Sequence, residues 1–122
     1  MAKFGELESA VMDLVWSSPE PLTVRRVMEA MAADRPLAYT TVQTVMDRLA
    51  RKGQLLRRPE GKANTYRAAR TREDHTASVM QEALHGVSDT QAALLHFVEL
   101  MDEEQEQALR AALARRKRAR RS

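Results

Sequence analysis

Hydrophobic residues recur at helical spacing along most of this chain, and the stretch from Tyr39 to Lys52 shows it most clearly. Val42, Val45, Met46 and Leu49 stand at i, i+3, i+4 and i+7, one stripe of a helix facing a core. Thr40, Thr44, Asp47 and Arg51 fall roughly opposite, flanked by Thr41, Gln43 and Arg48. Gly53, tolerant of positive φ, is placed to end the helix. Upstream, Glu6 to Ser17 puts Leu7, Ala10, Val11, Leu14 and Val15 on one face, with Trp16 adding bulk near the end. Ser17-Ser18-Pro19-Glu20-Pro21 breaks that helix. Thr23 is placed to cap a second helix, Val24 to Ala33, with the stripe Val24, Val27, Met28 and Met31. Asp34-Arg35-Pro36 separates it from the third.

Past Gly53 the period changes. Gln54-Leu55-Leu56-Arg57-Arg58 and Ala63-Asn64-Thr65-Tyr66-Arg67-Ala68 flank the turn signal Pro59-Glu60-Gly61-Lys62, which predicts a β-hairpin. Helix, turn, helix, turn, helix, hairpin is the order of a helix-turn-helix with a wing. Three further helices follow. Thr71 caps the first, with acids in its opening turn and Ala77, Val79, Met80, Ala83, Leu84 and Val87 on one face. Ser88-Asp89-Thr90-Gln91 matches a capping box for a helix through Glu99, which Ala92, Leu94, Leu95, Phe97 and Val98 nearly encircle. Asp102 caps a last helix with Leu109, Ala112 and Leu113 inward, and residues 115–121 are expected to fray. The expected fold is mostly α with a small β-hairpin. A winged-helix DNA-binding domain spans 1–70, and a helical dimerisation domain with a basic tail spans 71–122.

So short a second half encloses little core alone, and its most apolar helix asks for a partner. Self-association through Val79, Leu84, Leu94, Leu95, Phe97, Val98, Leu109 and Leu113 supplies one. A two-fold dimer sets two recognition helices one DNA turn, or a multiple of it, apart.

Charge sharpens the assignment. The whole chain carries +3, but Arg48 to Arg70 holds eight Lys/Arg against Glu60, residues 71–106 are net −8, and residues 107–122 net +7. A polar helix face joined to a cationic hairpin suits a major groove and the phosphates beside it. Thr40, Gln43 and Thr44 are the expected base contacts: Thr donates, accepts or packs its methyl on thymine, and Gln pairs with an adenine edge. Thr41, Arg48, Arg51, Lys52, Arg57, Arg58 and Lys62 are assigned to the DNA backbone. Two readings of Asp47 stand: it accepts from a cytosine amine, or it holds Gln43 and Arg51 from one turn away.

Other chemistries find no support. Zero cysteines exclude disulfides and thiolate metal sites. His75, His85 and His96, ten and eleven residues apart, match no metal signature, and no cofactor is expected. Walker, HExxH and GxSxG motifs are absent, so no enzyme is expected. No uncharged run is long enough to span a bilayer and no secretory signal opens the chain, so a cytoplasmic protein is expected. The competing class is a protein-interaction adaptor, its winged helix docking a protein and its acidic middle meeting a basic partner; the charge on Arg48 to Arg70 speaks against it.

The chain resembles the penicillinase repressor (BlaI/MecI) family across about residues 4–117. The resemblance lies in Glu8-Ser9-Ala10-Val11-Met12-Asp13-Leu14-Val15-Trp16, in Thr40-Thr41-Val42-Gln43-Thr44-Val45-Met46-Asp47-Arg48-Leu49 through Lys52-Gly53, and in Ala93-Leu94-Leu95-His96-Phe97-Val98-Glu99. It implies a homodimeric winged-helix transcriptional repressor of inverted repeats with TACA/TGTA half-sites, often before β-lactam-resistance genes. In the best-known members a membrane sensor metalloprotease pathway ends in repressor cleavage between an Asn and a Phe. The matching pair is His96-Phe97, with the Phe kept and the Asn replaced, and a regulatory protease is the implied further partner. A copper-responsive branch uses cysteines, which this chain lacks.

Overall fold

The computed structural model describes residues 4–121, and it divides them into two compact units that meet at Met80 and Gln81. In the first unit, α1 (Glu6–Ser17), α2 (Val24–Met31) and α3 (Tyr39–Arg51) precede the strands β1 (Leu55–Glu60) and β2 (Ala63–Ala68). Every stripe expected on α1 to α3 turns inward. Val11, Val15, Val24, Val27, Met31, Val42, Val45, Met46 and Leu49 form one buried cluster with Met12, Leu55 and Tyr66. Thr23 caps α2, its hydroxyl accepting from Arg26 N at 3.1 Å. α2 stops at Met31, two residues short of expectation, and tightens into turns onto the Met31 carbonyl.

α3 ends in a Schellman motif. Gly53 takes φ +78°, its N–H meets the Ala50 carbonyl at 3.1 Å, and Gln54 N–H meets Leu49 O at 2.9 Å. The chain is thereby turned straight into β1. The strands pair antiparallel from Leu55↔Ala68 to Glu60↔Ala63, so the loop is only Gly61-Lys62. Positive φ at Gly61 alone marks a type II′ turn, whose twist matches the strands. Pro59 lies in β1 rather than in the turn, which a hairpin edge tolerates. A third strand is reduced to one bridge: Leu22 and Tyr66 exchange both backbone hydrogen bonds at 2.9 and 2.8 Å.

α4 (Arg72–His85) begins within the first unit. Thr71 caps it through Asp74 N at 3.0 Å. Its first turn is fastened to α1. Trp16 Nε1 donates to Arg70 O at 2.9 Å, Arg72 pairs with Asp13 at 2.8 Å while lying over the indole, and His75 stacks on Phe4 with ring centres 4.1 Å apart.

The second unit holds the end of α4, α5 (Thr90–Glu99) and α6 (Glu103–Arg121). Asp89 caps α5 by accepting from Ala92 N, one residue later than the capping box read from the sequence. Asp102 and Gln105 cap α6 reciprocally at 2.8 and 3.1 Å. The expectation of fraying over 115–121 is corrected: α6 continues through Arg121. Arg, Lys and Ala are strong helix formers, and cations are favoured at the negative end of a helix. Among the described residues none on α4 to α6 is buried.

Candidate nucleic-acid interface

Burying Val42, Val45, Met46 and Leu49 fixes what α3 shows to solvent. Thr40, Thr41, Gln43, Thr44, Arg48 and Arg51 are all exposed, within an arc of about 160° at 100° per residue. Thr44 donates its hydroxyl to the Thr40 carbonyl at 2.8 Å, leaving an acceptor lone pair and the methyl for anything outside. Ala38 caps the helix with no side-chain bond, and Tyr39 is 43% exposed beside Thr40. Sequence reasoning passed over Tyr39; the only signal is an aromatic at a helix start off the buried stripe.

Asp47 does not hold Gln43 or Arg51; its side chain turns to the hairpin instead. Its Oδ1 accepts from the Tyr66 hydroxyl at 2.8 Å and from Arg57 Nη1 at 3.2 Å. One carboxylate on α3 thus holds both strands of the hairpin, since Arg57 and Tyr66 are register partners. The pair with Arg57 also offsets the negative charge of Asp47. Burial, then the Asp47 carboxylate, pushes the Tyr66 phenol above its ordinary value.

A second clamp joins α3 to α1. The buried Glu8 accepts from Gly5 N through Oε1 at 3.0 Å and from Lys52 Nζ through Oε2 at 2.8 Å. The Lys52 hydrogen bond, then the Gly5 amide, holds the Glu8 carboxyl below its ordinary value of 4.5. No sequence period marks Glu8 as different from its solvated neighbours.

Of the eight cations between Arg48 and Arg70, Lys52 and Arg57 are engaged in these clamps, which leaves six for outside partners. Arg48 and Arg51 flank the polar face of α3, Arg58 lies exposed on β1, and Lys62 sits at the hairpin tip. A cleft of about 560 Å³ between α3 and β1 is lined by Asp47, Ala50, Arg51, Leu55, Leu56 and Arg57. The structure therefore gathers Thr40, Gln43, Thr44, Arg48, Arg51 and Arg57 around one ridge and one cleft, with Thr41 at the edge of the ridge.

The residues assigned to self-association lie elsewhere. Val79, Leu84 and Leu109 are half-buried, whereas Leu94, Leu95, Phe97, Val98 and Leu113 are exposed. His96 and Phe97 are neighbours on α5, where His96 Nδ1 lies 3.2 Å from Glu99 Oε1. Among the described residues no group of His, Asp and Glu is placed to hold a metal ion, and no helix is long and apolar enough to cross a membrane.

The sequence profile described as penicillinase repressor matches residues 4–115. The transcriptional regulator BlaI of Mycobacterium tuberculosis is 46% identical over 117 residues, covering 93% of this chain and 85% of that protein. Among solved structures, the DNA-binding domain of the repressor BlaI superposes with a TM-score of 0.53 at 23% identity, over 60% of this chain and 88% of that one. A Staphylococcus aureus MepR mutant bound to an oligodeoxyribonucleotide gives 0.51 at 14% identity, over 95% and 79%. At such identities these two report the shared winged-helix fold.

Proposed function

The chain belongs to the penicillinase repressor family of transcriptional regulators, and from that premise we propose that it represses transcription by occupying an inverted-repeat operator as a homodimer. The observation that carries this is the polar face of α3, exposed from Thr40 to Arg51 and locked by Asp47 to a cationic hairpin. Thr40, Gln43 and Thr44, all exposed on one face of α3, read base edges of a TACA/TGTA-like half-site. Arg48, Arg51, Arg58 and Lys62 grip phosphates, with Thr41 beside them, while Lys52 and Arg57 hold the frame and lend their remaining donors. In this reading the chain acts by binding rather than by catalysis, and it works in the cytoplasm.

The dimer forms through α5, on which Leu94, Leu95, Phe97 and Val98 are exposed. Each bound half-site raises the effective concentration of the other, so weak halves make a tight whole. Release follows from anything that opens this contact. Cleavage at His96-Phe97 by a regulatory protease is one such event, and it needs α5, ten residues long and marginal by itself, to unwind locally. The regulated genes belong to a β-lactam response.

A titration tests the proposal. An inverted TACA/TGTA repeat and a scrambled duplex are compared at low and moderate salt. Binding to both at low salt, with a large preference for the repeat at moderate salt, is expected. No affinity for either duplex at low salt contradicts it and favours a protein-docking adaptor.

A further inference from the structure

The last two turns of α6 read Arg115-Arg116-Lys117-Arg118-Ala119-Arg120-Arg121, and every one of these residues is exposed. No acid occurs from residue 107 onward. Within the block like charges face each other four residues apart at Arg116 and Arg120 and at Lys117 and Arg121, which opposes the helix. A polyanion relieves that repulsion.

The composition selects which polyanion. The cations surround the helix axis, and Ala119 is the bulkiest apolar side chain among them. A helix lying on a membrane needs a face of large apolar residues, which is missing here. The spacing fits duplex DNA. Seven helical residues span about 10 Å and carry six cations, and B-DNA carries about six phosphates in the same length of axis. Five of the six are Arg, whose fork matches phosphate oxygens in pairs.

We propose that residues 115–121 of α6 form a second DNA-contacting element, which binds backbone phosphates beyond those held by the winged helix and without regard to sequence. This rests on the repressor reading and extends it. The element adds affinity to operator and to bulk DNA equally, which lengthens each encounter and leaves discrimination to α3.

The test uses the full chain and a variant with Arg115, Arg116, Lys117, Arg118, Arg120 and Arg121 all changed to Gln, a helix former without charge. Affinity for the inverted repeat and for a scrambled duplex is followed as salt rises. At low salt both affinities are expected to fall at least about ten-fold together. The slope of log K against log salt becomes shallower by at least about 2, and the ratio between duplexes stays constant. A chain ending at Ala114 is expected to behave the same and serves if the Gln variant does not fold. Superimposable slopes overturn the proposal. A reduced ratio at unchanged slope also overturns it, because the block then acts through the fold. Tighter DNA binding by the variant does so as well, assigning the block to the acids of residues 71–106. So does binding of the parent chain to vesicles of anionic lipid when the DNA slope is unaffected. A parent chain without salt-dependent affinity for either duplex sinks the repressor reading and this extension together.

Discussion

Asp47 and Glu8 show how single carboxylates fix α3 against its neighbours. Asp47 joins α3 to the hairpin through Tyr66 and Arg57, and Glu8 joins it to α1 through Lys52. Tyr66→Phe removes one bond and is expected to cost about 1 kcal/mol; Asp47→Ala, which strands a buried phenol, about 1–3 kcal/mol, read as urea midpoints near neutral pH. Each clamp also has a pH signature. The Tyr66 pKa is raised, so its contribution is complete below about pH 10 and disappears as pH climbs through the raised value. Tyr66→Phe removes that alkaline loss, and an unchanged alkaline limb assigns it to other groups. The Glu8 pKa is lowered, so its contribution is present above 4.5 and is lost as pH falls through the lowered value. Glu8→Gln is therefore less stable than the parent at neutral pH and converges on it in acid. None of this was legible in the sequence. Glu8 and Lys52 are forty-four residues apart, Asp47 and Tyr66 nineteen, and periodicity encodes which face a residue takes, not its distant partner. That gap is why the contacts Asp47 makes within the protein lay outside both of its sequence readings.

Elements were far more readable, because a stripe of apolar side chains at i, i+3, i+4 and i+7 states both that a helix forms and which side it buries. α3 is the clearest case, with Val42, Val45, Met46 and Leu49 at 5% exposure or less. Leu49→Ala is expected to cost about 2–5 kcal/mol through the cavity it leaves, and thermal unfolding measures it. The opposite face divides into two behaviours. Arg51→Ala is expected to weaken binding to every duplex and to make the salt slope shallower by about 1; Gln43→Ala is expected to cost about 1–3 kcal/mol on the preferred half-site with the slope intact. Competition titrations separate them, and the reverse pattern would exchange their roles. Two elements escaped prediction. The third strand is only Leu22, held by one bridge to Tyr66, too short for any pattern. The end of α6 was read as frayed because charge suggested solvation, although its residues are strong helix formers.

For the whole molecule, the two units differ in how completely they satisfy themselves. The first encloses its buried cluster, whereas the second leaves Leu94, Leu95, Phe97, Val98, Leu100 and Leu113 exposed. Large exposed apolar side chains on one small unit mark a surface awaiting a partner. Phe97→Asp is expected to give a folded monomer by sedimentation, with operator affinity reduced at least about 100-fold and half-site affinity unchanged. A dimeric Phe97→Asp chain removes α5 from the interface. Self-association is the proposal that the near-encirclement of α5 by apolar residues suggests, and the exposed Leu94, Leu95, Phe97 and Val98 support it. The most direct measurement is the affinity ratio of repeat to scrambled duplex, at moderate salt, for the parent and for the triple variant Thr40→Ala, Gln43→Ala, Thr44→Ala. The parent is expected to prefer the repeat by about a thousand-fold or more, and the triple variant to lose that preference while keeping its salt slope. A triple variant that still selects the repeat would contradict the assignment of sequence reading to the exposed face of α3.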